Sequence, residues 1–555
     1  MGNQLGLQRL ALGVLAVAMV ASWPACTATD DGDIDRRDDD DGGGGGADAG
    51  GVGTNVGGGL VGVGSGGGGP IIGDPKTCEE AALAESYIGC DFWPTVMPNA
   101  VWSIFDFAVV VANTGSNVVD IEVERNGSPV ASAQIQPNSL QTVYLPWVQA
   151  LKGGDADPFG SPPALNNSIL APGGAYHLTS SFPITVYQFS ALQYAPQGGP
   201  PGKSWSACPA DGIFTQCFSY SNDASLLMPS TAMTETYRVM GHVGLTGANI
   251  PGYTAVTATQ DGTNVTLNLG PNGGILGGGG ITPAGANGMT TVNLNAGDVA
   301  VFLADSDASD LSGSLVTADK PVQTMTGVSC VTIPNGQPAC DHIEETVFPA
   351  ETLGQNYVVT RPTGPAGQPV GHQVILYGNF DGTALTYPAG SPPGAPTSIG
   401  AGQVVDLGIV DVDFQVTGDN AFGVGSFQQG GSVVDAGGTA FEERGDPAHS
   451  MATAVEQYRE KYVFLAPTDY DVNYVDIVRR ASATLTLDGQ TLSGPTTPLG
   501  EFVIQRITLT AATGGVHVLE GDTPFGIQVT GYGSYTSYYY PGGLNLGAIA
   551  PPPPK

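Results

Sequence analysis

The sequence predicts a mainly β protein, built as four tandem sandwich-like units of about six strands each and preceded by a disordered Gly/Asp-rich tether. Three observations predict it. Short runs of alternating apolar and β-branched residues recur from Tyr87 almost to the end of the chain. Turn dipeptides and prolines punctuate those runs at matching places. Helical periodicity is confined to CEEAALAES, from Cys78 to Ser86, and TAVEQYRE, from Thr453 to Glu460.

Each unit opens on a tyrosine and a short apolar run: SYIGCDF at Tyr87, TYRVMGHV at Tyr237, NYVVTRP at Tyr357 and KYVFLAP at Tyr462. A hairpin is expected next, as in YTAVTATQDGTNVTLNL from Tyr253 and HQVILYGNFDGTALTY from His372. Asp261-Gly262 and Asp381-Gly382 supply the positive φ that such a turn needs. A single strand follows: PNSLQTVYL at Pro137, NAGDVAVFL at Asn295, GAGQVVDL at Gly400 and FVIQRITL at Phe502. A second expected hairpin closes the unit. Pro183, Pro321 and Pro524 sit after its turn, with Ala421 in the third unit. Proline there starts a strand, where a missing N–H costs least. A bridge then leads to the next tyrosine: Pro229 to Tyr237, Pro349 to Tyr357 and Ala454 to Tyr462 are each eight residues apart. The units are thus 87–236, 237–356, 357–461 and 462–546. Their tyrosines lie 150, 120 and 105 residues apart. Propeller blades repeat at about 40–50 residues, so tandem sandwiches are favoured and a propeller-like closed β array is the alternative.

Ahead of this body, residues 1–26 read as a signal peptide with a lipobox-like end. Leu10 to Ala21 is uncharged and apolar, follows Arg9, and is short of the roughly 20 residues that span a bilayer. Cys26 then resembles the cysteine that is diacylated in bacterial lipoproteins. Ala25 fits that pattern; Trp23 and Pro24 depart from it, and an ordinary signal peptide is the competing reading. Residues 27–74 are acid and glycine with almost nothing to bury, so they form a disordered linker. Asp31, Asp33 and Asp35 have a calcium-loop spacing, but Arg36 stands where the turn glycine belongs and Gly42 where the bidentate glutamate belongs. The β domain is expected over 75–548, with a Pro-rich tail at 549–555.

The chain of 555 residues carries 17 basic and 51 acidic residues, a net charge of −34. Nucleic-acid binding needs clustered Lys and Arg, and no cluster occurs, so nucleic acid is excluded as a partner. A membrane can be reached only through the lipid. Of seven cysteines, setting Cys26 aside leaves three close pairs: Cys78–Cys90, Cys208–Cys217 and Cys330–Cys340. Six cysteines allow 15 connectivities. Neighbour pairing in an oxidising compartment is the expectation, each bridge contributing roughly 2–3 kcal/mol. No C-x-x-C occurs among them, which argues against zinc.

The stretches ESYIGCDFWP, SNDASLLMPST, CDHIEETVFPAETLGQNYVV and GYGSYTSYYYPGG, which occur in that order, resemble the N-terminal domain of the IgGFc-binding protein family. The resemblance covers nearly all of residues 78–546. That domain is known from a mucus glycoprotein and from bacterial surface lipoproteins. The resemblance implies a mainly β extracellular module with a surface or matrix role. It brings no residue-level binding motif, so antibody binding is not carried over.

No catalytic residue is assigned. G-x-S-x-G, P-loop and dinucleotide-binding patterns are missing, and glycine runs such as GGILGGGG at Gly273 read as loops. His177 and His517 alternate with apolar neighbours and are expected to face solvent. The densest polar group is Asp341, His342, Glu344 and Glu345, candidate metal ligands by residue type. An acid near the start of each bridge, such as Asp223 or Asp446, is expected to cap a turn. Tyr532, Tyr535, Tyr538, Tyr539 and Tyr540 are either exposed binding rings or packing between units; Tyr532, Tyr535, Tyr538 and Tyr540 are the binding candidates. No cofactor is implied. The expected function is a non-enzymatic, surface-tethered binding or adhesion module for an extracellular protein or glycan, carried by an outer-membrane or cell-surface lipoprotein. A secreted glycan-active enzyme, which would need two spaced carboxylates, and a structural surface component are the alternatives.

Overall fold

The computed structural model describes residues 74–157, 161–192, 198–200, 202–205, 219, 222–438, 443–510 and 515–553. Cys26, Cys208, Cys217, the signal segment and the acidic tether lie outside the described residues.

The body is mainly β, and one topology recurs four times. In the second unit the outer sheet has the order Met289–Leu294, Thr263–Asn268, Leu315–Ala318, Thr236–Arg238. The inner sheet has the order Asp341–Thr346, Val322–Val331, Gly252–Ala258, Val299–Leu303. Ile169–Ala171, contributed by the first unit, is added at its edge. The third unit repeats the scheme, with Ser398–Ile399, Thr383–Thr386, Phe414–Gly418 and Asn356–Val359 outside. His449–Met451, Phe422–Phe427, His372–Gly378 and Val404–Val410 form its inner sheet. In the first and fourth units one long strand, His177–Phe189 or Val516–Gly533, serves both sheets.

The two expected hairpins are therefore crossings between sheets. Gly252–Ala258 pairs with Val299–Leu303 and Val322–Val331, not with the strand that follows it. The physical reason lies in burial. Both strands bury a face in the same core, which a sandwich achieves from opposite sheets and a flat hairpin does not. Gly262 and Gly382, at φ 66° and 68°, turn the chain from one sheet to the other. A tight hairpin does occur one step later in the first unit, at Asn126-Gly127, where both residues have positive φ. Pro183 and Pro524 mark where the long strand changes sheets.

Units two and three each have eight strands where about six are expected: Met289–Leu294 and Ser398–Ile399 join the outer sheets, and the bridge of every unit contains one more. These bridge strands are Ala224–Leu226, Asp341–Thr346, His449–Met451 and Thr536–Pro541. Each packs on the next, and the fourth packs on the first. The four sandwiches thus close into a propeller-like ring around their own last strands, so the two architectures weighed from sequence are combined. Burial patterns follow from this. Outer strands alternate, as in Met289–Leu294, because one face meets water. Inner strands such as Val322–Val331 are buried throughout, covered by their sandwich on one face and neighbouring units on the other.

Register pairing also corrects the first anchor. Tyr237, Tyr357 and Tyr462 pair with Val316, Val416 and Leu519. The matching pair in the first unit is Phe92 with Leu178, so Phe92, not Tyr87, is the equivalent residue. The three tyrosine hydroxyls donate to the carbonyls of Val322, Phe422 and Phe525, each six residues beyond the paired position. They accept the N–H of Thr234, Gly354 and Arg459. Tyr87 instead helps to close the ring. Its N–H donates to Leu544, its ring lies under Arg459, and the N–H of Leu546 donates to Glu85.

Cys78–Ala84 is a helix whose Thr77 hydroxyl caps the Glu80 N–H at 3.2 Å. The segment 453–460 makes only a single 3₁₀ turn, Val455–Gln457. The disulfides Cys78–Cys90 and Cys330–Cys340 are formed. His177 is partly exposed and pairs with Asp91 at 2.7 Å. His517 is buried against Asp488 at 2.8 Å and does not face solvent.

Candidate functional site at the ring axis

The four bridge strands arrive at the axis from different units and do not extend one another's sheets, so the N–H groups on their inner edges need other acceptors. Side-chain carboxyls supply them. Asp223 accepts from its neighbour Ala224 at 2.9 Å, from Glu344 of the second unit at 3.0 Å and from His449 of the third at 3.1 Å. One fully buried side chain therefore joins three units. Glu345 accepts from Thr346 at 2.8 Å and lies within reach of the Met451 N–H in the third unit.

Glu344 is served by side chains. Gln188 and Ser190 of the first unit donate to its two carboxyl oxygens at 2.9 Å each, and His342 lies 3.0 Å away. Asp446 is different: among the described residues neither of its carboxyl oxygens has a hydrogen-bond partner, although the residue is 1% exposed. Neither ring nitrogen of His449 has one either, and the ring stacks on Phe427 at 4.2 Å. Burial pushes the pKa of Asp223, Glu345 and Asp446 well above the carboxylate range. Burial pulls His449 down to about 3. His449 is therefore neutral near pH 7.

Asp341, His342, Glu344 and Glu345 share the strand Asp341–Thr346, whose alternation sends His342 and Glu344 one way and Asp341 and Glu345 the other. Among the described residues no three His, Cys, Asp or Glu side chains are gathered as a cation site. The bridge acids do not cap turns; Asp223 binds strands at the axis, and the Asp446 carboxyl is buried there without a partner among the described residues. The sequence signal for this was weak: an acid inside a short apolar run, SNDASLLMP or RGDPAHSM, read as punctuation.

The tyrosine cluster is interior. Thr536–Pro541 is the fourth axial strand and is buried throughout. Tyr538 donates to Asn473 at 2.7 Å and meets Tyr470 edge-on at 5.0 Å. Tyr540 packs against Tyr187 of the first unit with the rings tilted and 4.9 Å apart, and bonds to Leu465. Tyr532 is buried beside Gln428 of the third unit. Only Tyr535, half-buried at φ 52° with its hydroxyl on Glu443, reaches the surface. Alternation would have exposed some of these rings on a free edge strand, but a strand at the axis has neighbours on every side.

The described residues thus build a closed ring of four β-sandwiches joined by buried polar groups. Residues 223–531 match the family model described as IgGFc binding protein, and the chain belongs to that family. The match begins at the axial Asp223, spans units two and three, and ends at Gly531 in the fourth, before Thr536–Pro541. The human IgGFc-binding protein is 27% identical over 330 residues, which is 57% of this chain and 6% of that protein's length. No solved structure matches. Among the described residues no helix is long and apolar enough to cross a membrane.

Proposed function

We propose that the protein is a non-enzymatic extracellular binding module, tethered to the cell surface through a lipid on Cys26 and the acidic linker 27–74. Family membership over residues 223–531 is the observation that carries this reading. The fold supports it. Asp223 and Glu345 are sealed and spent on backbone N–H groups, which is what a scaffold needs and a hydrolytic site does not. The human relative's name specifies the Fc part of immunoglobulin G, and Fc is one ligand to test here, with other extracellular proteins and glycans beside it.

Two measurements test the proposal. Immobilised Fc, matrix proteins and a glycan array are probed with the exported chain; saturable binding without product supports a binding module, and release of soluble glycan product overturns it. Membrane fractionation with intact-mass analysis compares wild type with Cys26→Ala. Acyl mass on Cys26, lost with membrane association in the variant, supports the tether. Two soluble chains with an unmodified cysteine overturn it.

A further inference from the structure

The axis holds acids from three units, and geometry constrains their charge. Among the described residues Asp223 accepts only backbone N–H groups, those of Ala224, Glu344 and His449, Glu345 accepts from the Thr346 N–H, and Asp446 has no partner. The charges that bear on Asp223 and Glu345 are each other's and that of Glu344. Burying an unpaired carboxylate is far costlier than burying its neutral acid.

We propose that the axis is a proton-dependent lock: the ring is closed with Asp223, Glu345 and Asp446 neutral, and their ionisation releases the third unit's axial strand from the first two. The third unit is the one released because Asp223 accepts the N–H of His449, and Glu345 lies within reach of that of Met451, on the strand His449–Met451. Asp446 lies on the segment leading into that strand.

The surrounding groups set the direction. From the second unit's strand come Asp341, His342 and Glu344; His342 and Glu344 form a compact pair that Gln188 and Ser190 complete. From the second unit's inner sheet comes Tyr253, and from the fourth unit come Tyr470 and Tyr538, all with pKa raised by burial. His242 bears on His449 and opposes its protonation. A raised folded-state pKa makes an acid's contribution complete below its unfolded value, 3.8 for Asp and 4.5 for Glu. That contribution is lost as pH rises through the folded-state value. His449 works the other way. It weakens the fold as pH drops from 6.5 toward about 3. The lock therefore opens on the alkaline side.

The test uses the full chain and its Glu345→Gln and Asp446→Asn variants, which keep shape and remove ionisation. Infrared spectra at neutral pH should contain carbonyl bands of buried, protonated carboxylic acids, one lost in each variant. Hydrogen exchange at residues 449–451 should accelerate with pH beyond the intrinsic chemical rate, while residues 263–268 follow that rate. In both variants the excess acceleration should shrink, and the unfolding midpoint at pH 9 should rise relative to wild type. If wild type alone shows no protonated-acid band at neutral pH, the proposal is overturned whether or not a variant folds. It is also overturned if the pH dependence at 449–451 survives both substitutions.

Discussion

Leu267, inside the second unit's sandwich, and Glu344, on the ring axis, are both fully buried, yet opposite rules placed them there. Leu267 sits among Val256, Val265, Leu294 and Val316, where alternation alone dictates which face goes in. Glu344 sits where strands of two units meet and backbone groups must be satisfied as well as covered. A sandwich core is a local solution that each unit reaches with its own strands. The axis exists only when units are assembled, so its residues answer to partners more than a hundred positions away, as Glu344 does to Gln188 and Ser190.

The sharpest way to break that contrast is Asp223→Ala. It strands the N–H groups of Ala224, Glu344 and His449 in a dry place. At about 1–3 kcal/mol for each unsatisfied group the loss is about 3–9 kcal/mol, a large part of a typical total stability. Urea unfolding should show a collapsed midpoint or little soluble chain, and Asp223→Asn, which keeps an acceptor, should recover part of it. Next comes Leu267→Ala, expected to cost about 2–5 kcal/mol through lost burial and cavity. Its stability curve against pH should run parallel to wild type, because no titrating group is touched; a changed slope would mean that core and axis are not separable.

A smaller effect sharpens the repeat. Tyr357→Phe removes a hydroxyl that donates to Phe422 at 2.7 Å and accepts from Gly354 at 2.9 Å. The expected cost is about 1–3 kcal/mol, since the Gly354 N–H loses its acceptor. Tyr87→Phe should not reproduce that pattern, because Tyr87 serves ring closure rather than the repeated corner. The smallest effect is at the surface. Arg480 and Glu501 form an ion pair with side chains about half exposed, 53% and 50%, and Arg480→Ala should cost under about 1 kcal/mol and be insensitive to the ring.

Much of the sandwich was legible. Alternation in TNVTLN names the buried face, and the tyrosine, turn and proline markers give the fourfold repeat, but the strand Met289–Leu294 was missed. Strand partners were not legible, because a crossing from sheet to sheet and a hairpin share the same run, turn and run. GNFDGTALT reads as a hairpin until pairing shows that Thr383–Thr386 belongs to the other sheet. The opening SYIGCDF offered a tyrosine where the pairing uses Phe92. The axial strands were hidden for a different reason. DHIEET is too polar to suggest burial, and its meaning depends on Asp223 and His449, which no local window contains. The disulfides Cys78–Cys90 and Cys330–Cys340 were legible because their loops are short and their partners local.

Small-angle scattering from residues 74–555 tests the central claim, that four sandwiches close into one ring on their own last strands. A compact body of about 480 residues has a radius of gyration of ~23 Å by the general scaling. The closed ring predicts a value close to that and a single-peaked distance distribution. A much larger radius with a long-tailed distribution would describe four units strung in a row, and would contradict the ring and the shared axis together.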